Sequence, residues 1–303
     1  MLLAAYTLFM IPFILIGFLV VYLFSCDPQD SPRLYFFDLI GAGLGAALFV
    51  PMINALAVYQ SLLLLSVMGT FLAFILLYPS KKWTLAAFFI ITVFLSQLVH
   101  EPLYTIDKKK GWEWIPGHFK KGSYEQIVSR WHALGQTNIY RITDPKTRND
   151  IVMLSPGTFE INVIPPPEYA YISTNFLAGT PVYNLSKEGL AQGNSQIHLF
   201  SQSMEAPYIL GGRPRVLVIG VGGGRDLFMA KTHGAVEILG AEINPGIVKE
   251  MSPGGSMYDY SGRVYTMENT KVHLIDGRHL VKNTKSHYWD LIILNGVDTF
   301  SGL

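Results

Sequence analysis

Glycine recurs at positions 220, 222 and 224, directly behind the short apolar run Val216, Leu217, Val218 and Ile219. A helical pattern of Leu227, Phe228, Met229 and Ala230 follows. This order reads as a buried parallel strand, a tight glycine turn and a helix N-terminus. Glycines in such a turn let a ligand approach the backbone, and the helix start offers free N–H groups. The next apparent strand, 236–241, ends in Glu242. An acid at that place can accept hydrogen bonds from both hydroxyls of a ribose. The two features together point to a nucleoside ligand. The glycine spacing is not the nicotinamide fingerprint G-x-G-x-x-G, whose third glycine lets helix and strand pack closely. Arg225 stands at that third position, and the pattern is G-x-G-x-G instead.

Two further strands are expected, at 270–275 and 289–294. The first runs into Asp276, Gly277 and Arg278, the second into Asn295 and Asp298. An open parallel sheet binds its ligands beyond the carboxyl ends of its strands. Glu242, Asp276 and Asp298 therefore point to one crevice. Asn244 followed by Pro245 marks the start of the helix after Glu242, with proline near the first helical position.

The elements that carry these residues sit in a chain of 303 residues with a net charge of +1, which gives no case for nucleic acid. Charge is unevenly spread. Residues 1–99 hold only Asp27, Asp30, Arg33, Asp38, Lys81 and Lys82. Apolar runs at about 2–24, 34–58, 60–78 and 83–99 are each long enough to suggest a membrane span, so four spanning helices are expected. Gly41 and Gly45 form a G-x-x-x-G pair suited to close helix approach. Lys108, Lys109, Lys110, Lys120 and Lys121 after the fourth run outnumber Arg33, Lys81 and Lys82, which favours residues 100–303 in the cytosol. Residues 100–134 read as a basic, aromatic juxtamembrane connector. A small β unit is expected over 135–210, with strands at 137–142 and 169–172 and a hairpin across 150–164. The α/β region occupies 211–303. Cys26 is the only cysteine, so no intrachain disulfide and no cysteine metal cluster is expected.

In this arrangement the chain resembles the spermidine synthase superfamily, and most of all the bacterial integral-membrane spermidine synthase-like proteins. The glycines at 220–224 look like motif I of S-adenosylmethionine-dependent transferases. Glu242, the Asp276-Gly277-Arg278 run and the segment 295–298 resemble further synthase motifs. Residues 12–17 and 34–45 resemble the membrane segments. The resemblance implies a helical membrane bundle, a small β unit and a Rossmann-like transferase domain. It implies S-adenosylmethionine or its decarboxylated form as donor, with no metal. The donor-binding residues would be Gly220, Gly222, Gly223, Gly224, Asp226, Glu242, Asp276 and Gly277, and the catalytic ones Asp298 and Asn295. Its partners would be that donor, an unidentified acceptor and the lipid bilayer, in the inner membrane; a homo-oligomer is compatible.

The chain also departs from the family. Soluble synthases read G-G-G-D-G-G in the first loop, where Gly223 takes the acid's place. The nearest match to their Tyr-His-Glu run is Tyr171, Ile172 and Ser173. Their D-x-x-D has Asn295 at the position that helps deprotonate the attacking amine, and an amide cannot take that proton. Weak or absent putrescine aminopropyl transfer is therefore expected. The alternatives are methyl transfer to an unknown acceptor and a non-catalytic membrane sensor of the nucleoside. Only four strands follow position 215 where the resemblance implies seven, so the natural gene is expected to continue past Leu303.

Overall fold

The computed structural model describes residues 10, 14, 16–18, 20–25, 28–56, 58–77, 122–144, 168–174, 178–191, 205–209 and 211–295. The chain divides into two compact units, Met1–Ala55 and Leu56–Leu303.

The first unit is dominated by α1, Ser31–Ala55. Its 25 residues rise roughly 38 Å at 1.5 Å each, more than the ~30 Å hydrocarbon core of a bilayer. It buries no residue, and Phe36, Phe37, Leu44 and Leu48 stand exposed. Among the described residues it is the one helix long and apolar enough to cross a membrane. Among the described residues nothing lies within 4 Å of a Cβ placed on Gly41, Gly43 or Gly45. Of the four expected spans, the second corresponds to α1 and the third to α2, Val58–Leu77. The described residues of the first are helical between 16 and 25, and the fourth lies outside the described residues.

The second unit contains two sheets. Strands β1 (Tyr124–His132), β2 (Gly135–Ile142), β3 (Tyr169–Thr174) and β4 (Ala178–Tyr183) form an antiparallel sheet in chain order. β1 falls inside the stretch expected to be a connector. Its Glu125, Gln126, Ser129 and Arg130 hide the strand pattern, because it is half exposed and has only one neighbour in the sheet. β4 was also not anticipated, since Gly179 and Pro181 read as breakers in a sequence. The hairpin expected across 150–164 lies outside the described residues. A short helix α3, Lys187–Ala191, follows β4.

The second sheet is parallel and carries the site. It comprises β5 (Arg215–Ile219), β6 (Glu237–Glu242), β7 (Thr270–Leu274) and β8 (Leu291–Leu294), in the order β7-β6-β5-β8. Helices α4 (Arg225–Thr232), α5 (Pro245–Met251) and α6 (Gly277–Lys282) connect them. The chain builds outward from β5 to β7, then returns to the other side of β5 with β8. The order therefore reverses between β5 and β8, the place where open α/β sheets leave a crevice. Val216 and Val218 of β5, Ile238 of β6, Leu227 of α4 and Met251 of α5 are buried in one apolar core with Ile139, Ile172 and Val182 of the antiparallel sheet. That shared core explains why residues 137–140 of β2 are all buried instead of alternating. β8 pairs with β5 alone in this order, and Ile292 and Leu294 are 44% and 63% exposed.

Candidate functional site

The turn after β5 has the left-handed backbone its glycines suggest, with φ of 53° at Gly222 and 83° at Gly224. Gly223 lacks a positive φ and is required for another reason. A Cβ there would collide with the carbonyl oxygen of Pro181 in β4. A Cβ on Gly222 would come 3.0 Å from Thr180 Oγ1. The close approach that the glycines permit is thus made by the protein's own β4.

Following each amide of the turn gives the same result. Gly220 N–H donates to Ala241 O (2.8 Å), Gly222 N–H to Glu242 Oε2 (2.9 Å), Gly223 N–H to Thr180 Oγ1 (3.1 Å) and Gly224 N–H to Val221 O (3.0 Å). These amides were expected to face a ligand, and each already has a partner. The outward carbonyl of Gly222 accepts from the Tyr265 hydroxyl at 2.7 Å. That hydroxyl is pushed far up in pKa, first by burial and then by the charge of Glu242. The start of α4 differs. Gly224 supplies no side-chain cap to the first turn of α4.

Glu242 is 5% exposed at the carboxyl end of β6. Its second oxygen accepts from Asn244 N–H at 2.8 Å. An ionised carboxylate has about four acceptor positions, so roughly two remain for the hydroxyls of a diol. The carboxylate has the acceptor chemistry that a ribose diol needs, and Tyr265 and β4 lie against the same turn. Asn244 also caps α5, accepting from Gly246 N–H at 2.8 Å and Ile247 N–H at 3.3 Å. It was legible as a helix start before Pro245 but not as a partner of Glu242.

At the reversal point the structure brings Asp226 and Asn295 together. The Asn295 amide nitrogen lies 3.4 Å from both carboxylate oxygens. Burial raises the pKa of Asp226, while Arg225 and the Asn295 amide oppose the rise. Burial raises the pKa of the Tyr183 hydroxyl, and the nearby Arg225 opposes the rise. Asp276 stands at the same end of the sheet but is exposed, and it caps α6 by accepting from His279 N–H at 2.9 Å. Gly277 allows α6 to close on β5, since a Cβ there would strike Ile219. Asp298 lies outside the described residues. A cavity of about 160 Å³, lined by Tyr208, Gly212, Pro214, His233 and Asp290, opens at the opposite, amino end of the strands.

No protein-family model and no curated protein matches this chain.

Proposed function

We propose that this chain is a membrane-anchored transferase with a Rossmann-like domain that takes S-adenosylmethionine or its decarboxylated form as donor. One observation carries the reading: the Glu242 carboxylate is fixed between the Gly222 and Asn244 amides at the carboxyl end of β6. In this reading Glu242 holds the ribose hydroxyls. The first turn of α4, with Asp226, meets the methionine-derived portion, and Asp276 and Gly277 lie toward the adenine. An acceptor nucleophile attacks a carbon bonded to the sulfonium sulfur. The carbon–sulfur bond breaks, the thioether leaves, and the acceptor's proton passes to Asp298. Tyr265 and β4 yield as the donor enters. The anchor is the apolar N-terminal region, with residues 100–303 on the cytosolic face.

A non-catalytic nucleoside sensor is the second reading. It is favoured by the amide at Asn295 and by the turn amides being occupied within the protein.

The test uses the full chain taken from carbonate-washed membranes into detergent and titrated calorimetrically with both donors. Binding of one donor is expected, weakened in Glu242→Ala by about 1–3 kcal/mol through lost hydrogen bonds. Absence from the washed membranes would remove the anchor. Equal donor affinity in the variant and the parent would remove the ribose assignment.

A further inference from the structure

Glu242 is the end of a longer chain of hydrogen bonds that starts in the antiparallel sheet. Leu134 N–H donates to His132 Nδ1 at 3.2 Å, so Nδ1 carries the lone pair and the ring proton sits on Nε2. His132 Nε2 lies 2.9 Å from Thr137 Oγ1, which makes Thr137 the acceptor from the ring. The Thr137 hydroxyl then donates to Asn244 Oδ1 at 3.3 Å. The backbone N–H of the same Asn244 holds one oxygen of Glu242, and Gly222 N–H holds the other. His132, Thr137, Asn244 and Glu242 are all at most 7% exposed: 6%, 0%, 6% and 5%. A second tie, Asn244 Nδ2 to Thr174 Oγ1 at 3.1 Å, fixes the amide from β3.

We infer that His132 is a positioning residue for the donor site, acting through Thr137 and Asn244 to hold Glu242 and the Gly222 turn in place only while its ring is neutral. This rests on the proposed donor reading for its ligand. Protonation would put a second N–H opposite the Leu134 amide, two donors facing each other. The ring is buried against Gly246 of α5, where a side chain would meet its Cδ2. The imidazolium therefore weakens its bond to Thr137 or shifts α5, and either change loosens Asn244, whose side chain then keeps only its bonds to Gly246 N–H, Ile247 N–H and Thr174.

The other charged groups on the packed elements leave this relay alone. On β1, Arg130 pairs with Glu250 of α5 at 3.2 Å. Glu125 and Arg141 pair with each other at the far end of the β1–β2 ladder, near Tyr124 and Tyr140, whereas His132 closes the ladder opposite Gly135. Lys249 is the remaining cation on α5. Burial alone lowers the titration of His132, and none of these groups contributes to it.

The test is a pH series on the full chain in detergent, from about pH 8 to about pH 5.5, across the ordinary histidine range. S-adenosylhomocysteine serves as an unreactive probe, and hydrogen exchange of segment 220–224, corrected for its intrinsic pH dependence, serves as a ligand-free readout. Probe affinity in the parent should fall about fivefold or more over the series, the lower end of usual coupling between sites. Protection of 220–224 should fall with it. His132→Gln keeps an N–H donor toward Thr137 without titrating, and should flatten both profiles at the parent's pH 8 values. Thr137→Val, which breaks the relay at its middle, should flatten the exchange profile even if the glutamine variant does not fold. Equal pH responses in parent and variants would overturn the inference while leaving the donor reading intact. Loss of protection in the parent alone, without probe binding at any pH, would uphold the relay and overturn the donor reading. A flat exchange profile in the parent would overturn the relay outright.

Discussion

The carboxyl ends of β6 and β8 are built in opposite ways. At β6, Glu242 is buried with both oxygens bonded at 2.9 Å or less, and its neighbours are bonded in turn. At β8, Asn295 reaches Asp226 only at 3.4 Å, and Ile292 and Leu294 before it stand exposed. A polar group bonded at short distance inside a dry site is held more firmly than one bonded at long distance. The difference assigns two kinds of work. The β6 end has a fixed acceptor suited to a constant feature such as a ribose. The β8 end has a buried acid, Asp226, with an amide at longer distance, a looser contact than those of Glu242. If one end were exchanged for the other in character, the division would fail, and three substitutions probe that.

The largest effect is expected at the turn shared by the two ends. Gly223→Ala places a methyl against the Pro181 carbonyl, a backbone atom that cannot swing away. A loss of at least about 3 kcal/mol is expected, the range of severe overpacking. Gly234→Ala, also at positive φ (76°) but with nothing within 4 Å, should cost only about 1–2 kcal/mol. Denaturant unfolding of both variants measures the contrast. Similar losses would mean that β4 is not clamped on the turn, and that the β6 end is less rigid than its hydrogen bonds imply.

The intermediate effect tests the β8 end. Asn295→Asp sets a second carboxylate beside Asp226, and two such groups cannot both stay ionised cheaply. The variant should be about 1–2 kcal/mol less stable than the parent near pH 8. The pair's upper pKa is raised in the folded state, so the penalty is absent in acid and develops as pH rises through it. Thermal unfolding across pH reads this directly. A penalty that does not depend on pH would show that the two side chains move apart, and the edge would then be looser than its 3.4 Å contacts.

How much of this was legible in advance follows from where the information lies. The parallel sheet was legible because β5 and β6 carry apolar runs ending at glycine or acid and β7 (Thr270–Leu274) leads into Asp276, and each strand edge fell within a few residues of its place. Glu242 was legible as a strand-end acid. Its partners were not, since Gly222 and Asn244 meet it through backbone N–H groups that no side chain announces. Tyr265 and Thr180 reach the turn from distant parts of the chain, so spacing carries no trace of them. β1 was missed because a strand that is half in water is written mostly in polar residues. His132 stood in the stretch expected to be a connector, and Thr137 looked like an ordinary strand residue until α5 was laid across them.

The smallest effect tests whether Asp226 is kept for stability or for a ligand. Its carboxyl has a raised pKa, with burial the chief cause, so the folded state favours the protonated form. A raised folded pKa gives stability that is complete below the unfolded value and is lost as pH rises through the folded one. Asp226 therefore weakens the fold at neutral pH, and Asp226→Asn should strengthen it. The asparagine keeps the shape and still offers an oxygen to the Asn295 amide. The gain should be nil in acid, appear as pH climbs above the ordinary carboxylate range, and level off beyond the folded pKa. About 1 kcal/mol in a unit of this size moves the melting midpoint by roughly 2–4 °C. A destabilising residue kept in a crevice is what a binding role predicts, because function is commonly bought with stability. The same variant should then bind the donor more weakly while melting later. A variant that melts earlier at neutral pH would make Asp226 a structural acid held by Arg225, and would leave the β8 end without an anion of its own among the described residues.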